Sequence, residues 1–177
     1  NRKNNDLFLF EFGKTYSTKG IAKYDEQENL ALYFTGNRKL STWKEKEVKT
    51  DIYFVKGICN ALLRLAGLKN FQFSPNNVED LSESFIATYD QIFIAEGGNI
   101  LPNQLDKFSI KQPVFYLRII WQQLRDLAKN NNLSFSEIIK FPRVNRDLSI
   151  IIDKTISYQS VENSIISLSL SKLTGIK

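Results

Sequence analysis

The feature that most constrains the fold is an alternation of large apolar residues with other residues in separate segments. In the segment LFLFEFGKTY, Phe8, Phe10 and Phe12 recur at every second position, which is the spacing of a strand with one buried face. A second segment, NLALYFTG, is rich in strand-forming residues and stops at Gly36. We expect these two segments to pair as antiparallel strands, with Gly13 as a bulge or strand end.

More strands are predicted further along the chain. The polar residues between the first two strands predict a loop over residues 17–29. Short apolar segments bounded by Pro, Asn, Asp and Gly then predict four strands, at NFQFS, ESFIATY, QIFIAEG and QPVFYLRIIW. Pro113 lies at the start of the last of these, where a strand tolerates proline. A short helix is predicted to follow, at QQLRDLAKN.

One long segment has the spacing of a helix instead. Apolar residues of TDIYFVKGICNALLRLAGL fall on one helical stripe, formed by Ile52, Val55, Cys59, Leu62 and Ala66. Three more widen this face: Phe54, Ile58 and Leu65. Thr50 or Asp51 is the predicted N-cap, and Gly67 the predicted C-terminal stop. Gly57 in mid-helix costs about 1 kcal/mol relative to alanine, so it marks either close packing against a neighbour or a tolerated cost.

The composition excludes several kinds of site. The chain of 177 residues has no histidine and one cysteine, Cys59, which excludes histidine-based triads, histidine-ligated zinc and an internal disulfide. Cys59 is expected to be a core residue. No apolar run approaches the ~20 residues of a membrane-spanning helix, so we expect a cytoplasmic protein without membrane association. Because methionine is absent, we expect Asn1 to lie inside a longer polypeptide.

The last fifth of the chain is more basic than the rest. Residues 140–177 contain 6 Lys and Arg against 3 Asp and Glu, whereas residues 1–139 contain 18 against 16. In this region RDLSIIID predicts a strand, and Ser157 is the predicted N-cap of a helix. The stripe of this helix is formed by Tyr158, Val161, Ile165 and Leu168. KLTGIK then begins to look extended, so this part has the order of half a split βαβ unit.

Five segments resemble one known family, in the order in which that family has them. FPRVNRDLSIIID followed by ISYQSVENSI resembles the entry to the anticodon-binding domain of the bacterial phenylalanine-tRNA ligase β subunit. Upstream, LFLFEFGKTY resembles its LFExGxxF strand, FTGN with STW its TG…W segment, and DIYFVKGICNALLRLAG its DFxxxKGxxExLL helix. LDKFSIKQPVFYLRI resembles its FDIKQxVFY strand entry.

The resemblance implies an α+β protein of two parts. Residues 1–139 would be the C-terminal part of a class II aminoacyl-tRNA synthetase-like antiparallel sheet with flanking helices. Residues 140–177 would begin a ferredoxin-like anticodon-binding domain. The family's β subunit packs on a catalytic α subunit in an α2β2 heterotetramer that attaches phenylalanine to tRNA(Phe).

The resemblance also implies that this part of the β subunit is not catalytic. Class II active sites hold ATP with FRxE and GxGxxR segments, and this sequence contains neither. We therefore expect no catalytic residue, metal ligand or cofactor here, although the complete enzyme is expected to need ATP and magnesium. The family's editing site and β-subunit magnesium ligands belong to regions that precede Asn1.

Candidate contact residues follow from the same resemblance. Lys140, Arg143 and Arg146 are expected to lie near tRNA phosphates. Alternatively, Arg146 pairs with Asp147 or Asp153, or spans the junction of the two domains, and this alternative is favoured for Arg146. Candidate contacts with the α subunit are Trp43, Phe54 and Lys56, for which core packing and solvation are the ordinary alternatives.

Two functions of other classes fit the same residues. One is a free-standing module that binds RNA or protein and has no ligase role. The other is a small-molecule enzyme that uses carboxylates such as Glu11 or Glu96. A pocket with a ligand or a perturbed carboxyl group would favour the enzyme.

Overall fold

A computed structural model describes residues 4–20, 23–129, 144–171, 173 and 175–176. The chain divides into two compact units, Asn1–Phe135 and Ser136–Lys177. The described strands of the first unit are β1 (Leu7–Gly20), β2 (Lys23–Thr35), β3 (Asn37–Lys39), β4 (Val48–Lys49), β5 (Phe71–Pro75), β6 (Leu81–Tyr89), β7 (Ile92–Ile100) and β8 (Val114–Ile120). Its described helices are α1 (Ile52–Leu65), α2 (Pro102–Asp106) and α3 (Trp121–Lys129), and α4 (Tyr158–Ser167) belongs to the second unit.

Six of these strands form one sheet. Their order is β1-β2-β8-β7-β6-β5, and every neighbouring pair is antiparallel. The central position of β8 beside β2 brings together two strands that are far apart in the sequence. β3 and β4 form a separate small hairpin. An antiparallel sheet with a few helices is an α+β arrangement, so the coarse fold predicted from the sequence is confirmed.

The hairpin of β1 and β2 is longer than predicted. The two strands pair antiparallel, as expected. Gly13 lies opposite Asn29 without a break in register, so the expectation of a bulge or strand end at Gly13 was wrong. The loop predicted over residues 17–29 was also wrong, because both strands continue outward as paired polar arms. An ion pair between Lys14 and Glu26 links these arms, and it raises the pKa of the Lys14 ammonium.

The core lies between one face of the sheet and two helices. α1 packs against β7 and β8, and α3 packs against β2 and β8. The buried cluster includes Phe34, Val55, Cys59, Leu63, Leu117, Ile119 and Leu124. Cys59 is a core residue, as predicted, and its burial raises the pKa of its thiol to about 12. Because side chains alternate along a strand, the residues between the buried ones lie on the opposite, more polar face of the sheet.

Helix α1 begins and ends as predicted. The Asp51 carboxylate accepts a hydrogen bond of 2.7 Å from the backbone N–H of Phe54, which is the geometry of an N-cap. Gly67 follows the helix with a φ of +85°, a left-handed conformation that glycine adopts without strain. The N–H of Leu68 donates to the carbonyl of Leu63. This bond closes the last turn of the helix.

The buried stripe of α1 differs from the prediction at one edge. Val55, Cys59 and Leu63 are completely buried, four residues apart. Leu65 was expected to widen the apolar face, but it is 82% exposed, so that expectation was wrong. In this turn of the helix the completely buried residue is Leu63 rather than Leu62, because the side of the helix that carries Leu63 faces β7 and β8. A Cβ atom at Gly57 would have no neighbour within 4 Å, which favours a tolerated cost over close packing.

The later elements agree with the sequence pattern. The four predicted strands form β5 to β8, and the predicted short helix forms α3. β2 ends at Thr35, and Gly36 follows with a φ of +78°, in agreement with the predicted stop. The sequence pattern missed α2 and the β3–β4 hairpin, because elements of two to five residues are too short to show periodicity. No helix that the structure describes is long and apolar enough to cross a membrane.

The second unit contains the predicted helix. The Ser157 hydroxyl accepts a hydrogen bond of 3.2 Å from the backbone N–H of Ser160, so Ser157 is the N-cap of α4. On the predicted stripe, Val161 and Ile165 are half-buried, whereas Tyr158 is exposed. Part of KLTGIK, including residues 172, 174 and 177, lies outside the described residues.

The strand predicted at RDLSIIID does not form. Residues 144–153 have no regular secondary structure, and Leu148, Ile150 and Ile152 are exposed. A strand needs a hydrogen-bonded neighbour, and none is present among the described residues of this unit. The alternating apolar pattern is present in the sequence, but the described residues of the second unit contain no strand with which this segment could pair.

Candidate functional site

The three basic residues predicted to contact tRNA differ in what the structure shows. Lys140 and Arg143 lie outside the described residues. Arg146 is exposed, and within the described ranges it forms no ion pair with Asp147 or Asp153. The carboxylate of Asp153 instead accepts two bonds from Thr155, of 2.9 Å from its N–H and 2.7 Å from its hydroxyl. These bonds lower the pKa of Asp153.

Two of the three predicted subunit contacts are engaged within the chain. The ring of Phe54 is half-buried, with its centroid 5.7 Å from those of Phe8 and Phe34. The ammonium of Lys56 lies 5.3 Å from the ring centroid of Phe73 and 5.6 Å from that of Phe85. Cation–π contacts of this kind are worth about 0.5–1 kcal/mol at exposed sites. Both side chains therefore have packing roles within this unit.

Trp43 is different, because it is 96% exposed. It lies in the loop between β3 and β4, inside a four-residue turn from Thr42 to Glu45. The N–H of Thr42 donates to the carbonyl of Glu45 over 2.8 Å, and the N–H of Glu45 donates to the Thr42 hydroxyl over 3.1 Å. Lys39 forms an ion pair with Glu45. The large apolar side chain of Trp43 therefore extends into solvent from a hydrogen-bonded turn.

The polar face of the sheet carries a group of residues that the sequence pattern did not single out together. Tyr33 of β2 lies opposite Tyr116 of β8, with ring centroids 5.2 Å apart. Beside Tyr116 on the same strand, Arg118 forms a 2.8 Å ion pair with Glu96 of β7. The side chain of Glu96 is only 16% exposed. These residues could have been identified from the sequence by their positions, because they alternate along each strand with the residues that are buried.

The two tyrosines have raised pKa values. Burial raises the pKa of the Tyr116 hydroxyl to about 12, and the neighbouring Tyr33 and Glu96 add to the shift while Arg118 opposes it. Burial, followed by the charge of Glu11, also raises the pKa of Tyr33. Both hydroxyls therefore stay protonated well above neutral pH.

In wild type the free energy of unfolding is expected to fall at alkaline pH, and replacing Tyr116 with phenylalanine is expected to make this fall smaller. The folded pKa of Tyr116, about 12, lies above its ordinary value of 10.0. Between these pH values the unfolded chain releases the proton and the folded chain keeps it, so stability falls as the pH rises. Urea unfolding of both proteins between pH 9 and about 12 tests this. Tyr24→Phe, at an exposed position, is the control, and an equal alkaline loss in wild type and Tyr116→Phe would contradict the assignment.

Glu11 and Glu96, the carboxylates considered for small-molecule catalysis, do not line either of two cavities in the described structure. A shallow cavity of about 590 Å³ is lined by residues 75–77 and 81–84. A second, of about 270 Å³, is lined by residues 12–14, 28, 29 and 121. Glu96 is held by Arg118, and Glu11 is exposed. Within the described residues, no three Cys, Asp or Glu side chains are grouped so that they could hold a metal ion.

The sequence matches a protein family over most of its length. Residues 1–121 match the family described as "Phenylalanyl tRNA synthetase beta chain CLM domain". A phenylalanine–tRNA ligase β subunit of Bacteroides thetaiotaomicron is 29% identical over 173 residues, covering 92% of this chain and 21% of that protein. The corresponding subunit of Dehalococcoides mccartyi is 30% identical over 157 residues, covering 88% of this chain and 19% of that protein. The chain spans about a fifth of the length of the curated relatives it matches.

The fold is similar to that of a solved synthetase. The pyrrolysyl-tRNA synthetase of Desulfitobacterium hafniense superimposes with a TM-score of 0.54 over 73% of this chain and 44% of that one, at 16% identity. A second structure, of the Desulfitobacterium hafniense pyrrolysyl synthetase PylSc, gives 0.52 over 76% of this chain and 48% of that one, at 15% identity. At these identities the similarity concerns the fold alone. It agrees with the synthetase-like antiparallel sheet predicted from the sequence.

Proposed function

The chain belongs to the phenylalanyl-tRNA synthetase β chain family, and from this premise we propose that it supports attachment of phenylalanine to tRNA(Phe) without performing the reaction. The observation that carries the proposal is the family match over residues 1–121, on a sheet with the fold of tRNA synthetases. Aminoacylation by the complete polypeptide with its partner subunit tests it.

The proposed absence of catalysis rests on the residues of the sheet. The sequence contains neither FRxE nor GxGxxR, the segments with which class II synthetases hold ATP. The polar face instead carries a tyrosine pair and the ion pair of Glu96 with Arg118. Loss of either partner of such an ion pair would leave an uncompensated, partly buried charge, so Glu96 and Arg118 are held by each other. We therefore place ATP and magnesium in the complete cytoplasmic enzyme, away from these residues.

We propose two domains for the chain. Residues 1–139 form the C-terminal part of the noncatalytic synthetase-like domain, and residues 140–177 begin a ferredoxin-like anticodon-binding domain. Helix α4 follows an alternating apolar segment, which is the order of a split βαβ unit. The exposure of Leu148, Ile150 and Ile152 supports this, because neighbouring strands of a complete domain would cover them.

The proposed partners are tRNA(Phe) and the catalytic α subunit, in an α2β2 heterotetramer. Lys140, Arg143 and Arg146 are the proposed tRNA contacts. The exposure of Arg146, without an ion pair to Asp147 or Asp153 in the described ranges, supports its availability for a phosphate. The contacts proposed for the α subunit remain Trp43, Phe54 and Lys56, of which Trp43 has the greatest exposure.

Replacing Arg143 with alanine in the complete ligase is expected to weaken tRNA binding in a salt-dependent way. Each lost phosphate contact lowers the slope of log K against log salt by about 1. Binding of tRNA(Phe) measured at several salt concentrations gives this slope. Lys69→Ala removes an exposed positive charge from the first unit and should leave the slope unchanged. An unchanged slope for Arg143→Ala would exclude a phosphate contact at this residue.

A further inference from the structure

We draw no further inference here: the strongest candidate, the cluster of Tyr33, Tyr116, Glu96 and Arg118 on the polar face of the sheet, lines neither of the two cavities described above, and nothing in the structure shows what covers this face.

Discussion

Replacing Leu63 with alanine is expected to lower the free energy of unfolding by about 2–5 kcal/mol. Leu63 is completely buried on α1, in the cluster that joins this helix to β7 and β8. The substitution removes apolar contacts and leaves a cavity that the surrounding sheet fills only in part. The backbone hydrogen bond from the N–H of Leu68 to the carbonyl of Leu63 is retained in the variant, so the expected loss comes from the side chain alone. Urea unfolding of the first unit measures the effect.

Leu65→Ala is the matched control for this substitution. It makes the same chemical change two residues away on the same helix, at a side chain that is 82% exposed. Substitutions at such positions usually change stability by less than ~0.5 kcal/mol. Comparable destabilisation by the two variants would show that the buried stripe of α1 is wrongly placed.

Replacing Gly97 with alanine is expected to destabilise the sheet by about 1–3 kcal/mol. A Cβ atom at Gly97 would lie 2.8 Å from Cζ of Phe85 and 2.9 Å from the carbonyl oxygen of Tyr116. Phe85 is a buried core residue and Tyr116 belongs to the central strand β8, so neither can move without disturbing neighbours. Thermal or urea unfolding of the variant measures the cost.

Gly57→Ala is expected to change the free energy of unfolding in the opposite direction, by stabilising the fold. The same substitution in mid-helix gains about 1 kcal/mol, since a Cβ atom at Gly57 has no neighbour within 4 Å. The pair of variants separates a glycine required by close packing from one that the helix merely tolerates. Stabilisation by Gly97→Ala, or a loss of stability with Gly57→Ala, would contradict the packing described here.

The central sheet could be predicted because its strands alternate and have clear ends. Glycine and proline bound the strands, as at Gly36 and Pro113, and the capping residues of α1 and α4 are of the expected types. The length of the β1–β2 hairpin could not be predicted, since its outer arms are polar on both faces. Polar composition alone does not distinguish such arms from a loop.

The failed strand at RDLSIIID shows a different limit. The alternation of Leu148, Ile150 and Ile152 is a local property, but a strand forms only beside a partner. The described residues of the second unit provide no such partner. Sequence pattern thus predicts which residues can form a strand, whereas pairing decides whether they do.

The candidate site shows the same contrast. Trp43 could be singled out from the sequence by residue type, but its exposure depends on the turn from Thr42 to Glu45, which no periodicity reveals. The contact of Tyr33 with Tyr116 could not be predicted from the sequence, because it requires β2 to pair with β8, a strand far along the chain. The ring neighbours of Phe54 and Lys56 within the chain could not be predicted from the sequence, and the subunit contact proposed for these two residues stays a prediction.

The central claim is that this chain is part of a phenylalanine-specific ligase and acts without catalysing the reaction itself. The most direct measurement is to purify the complete polypeptide with whatever assembles on it, and to test which amino acid the complex attaches to tRNA in the presence of ATP. Charging with phenylalanine that is lost when the partner subunit is removed is the expected result. An intact complex that charges tRNA with no amino acid, or charging by the β polypeptide alone, would contradict the account.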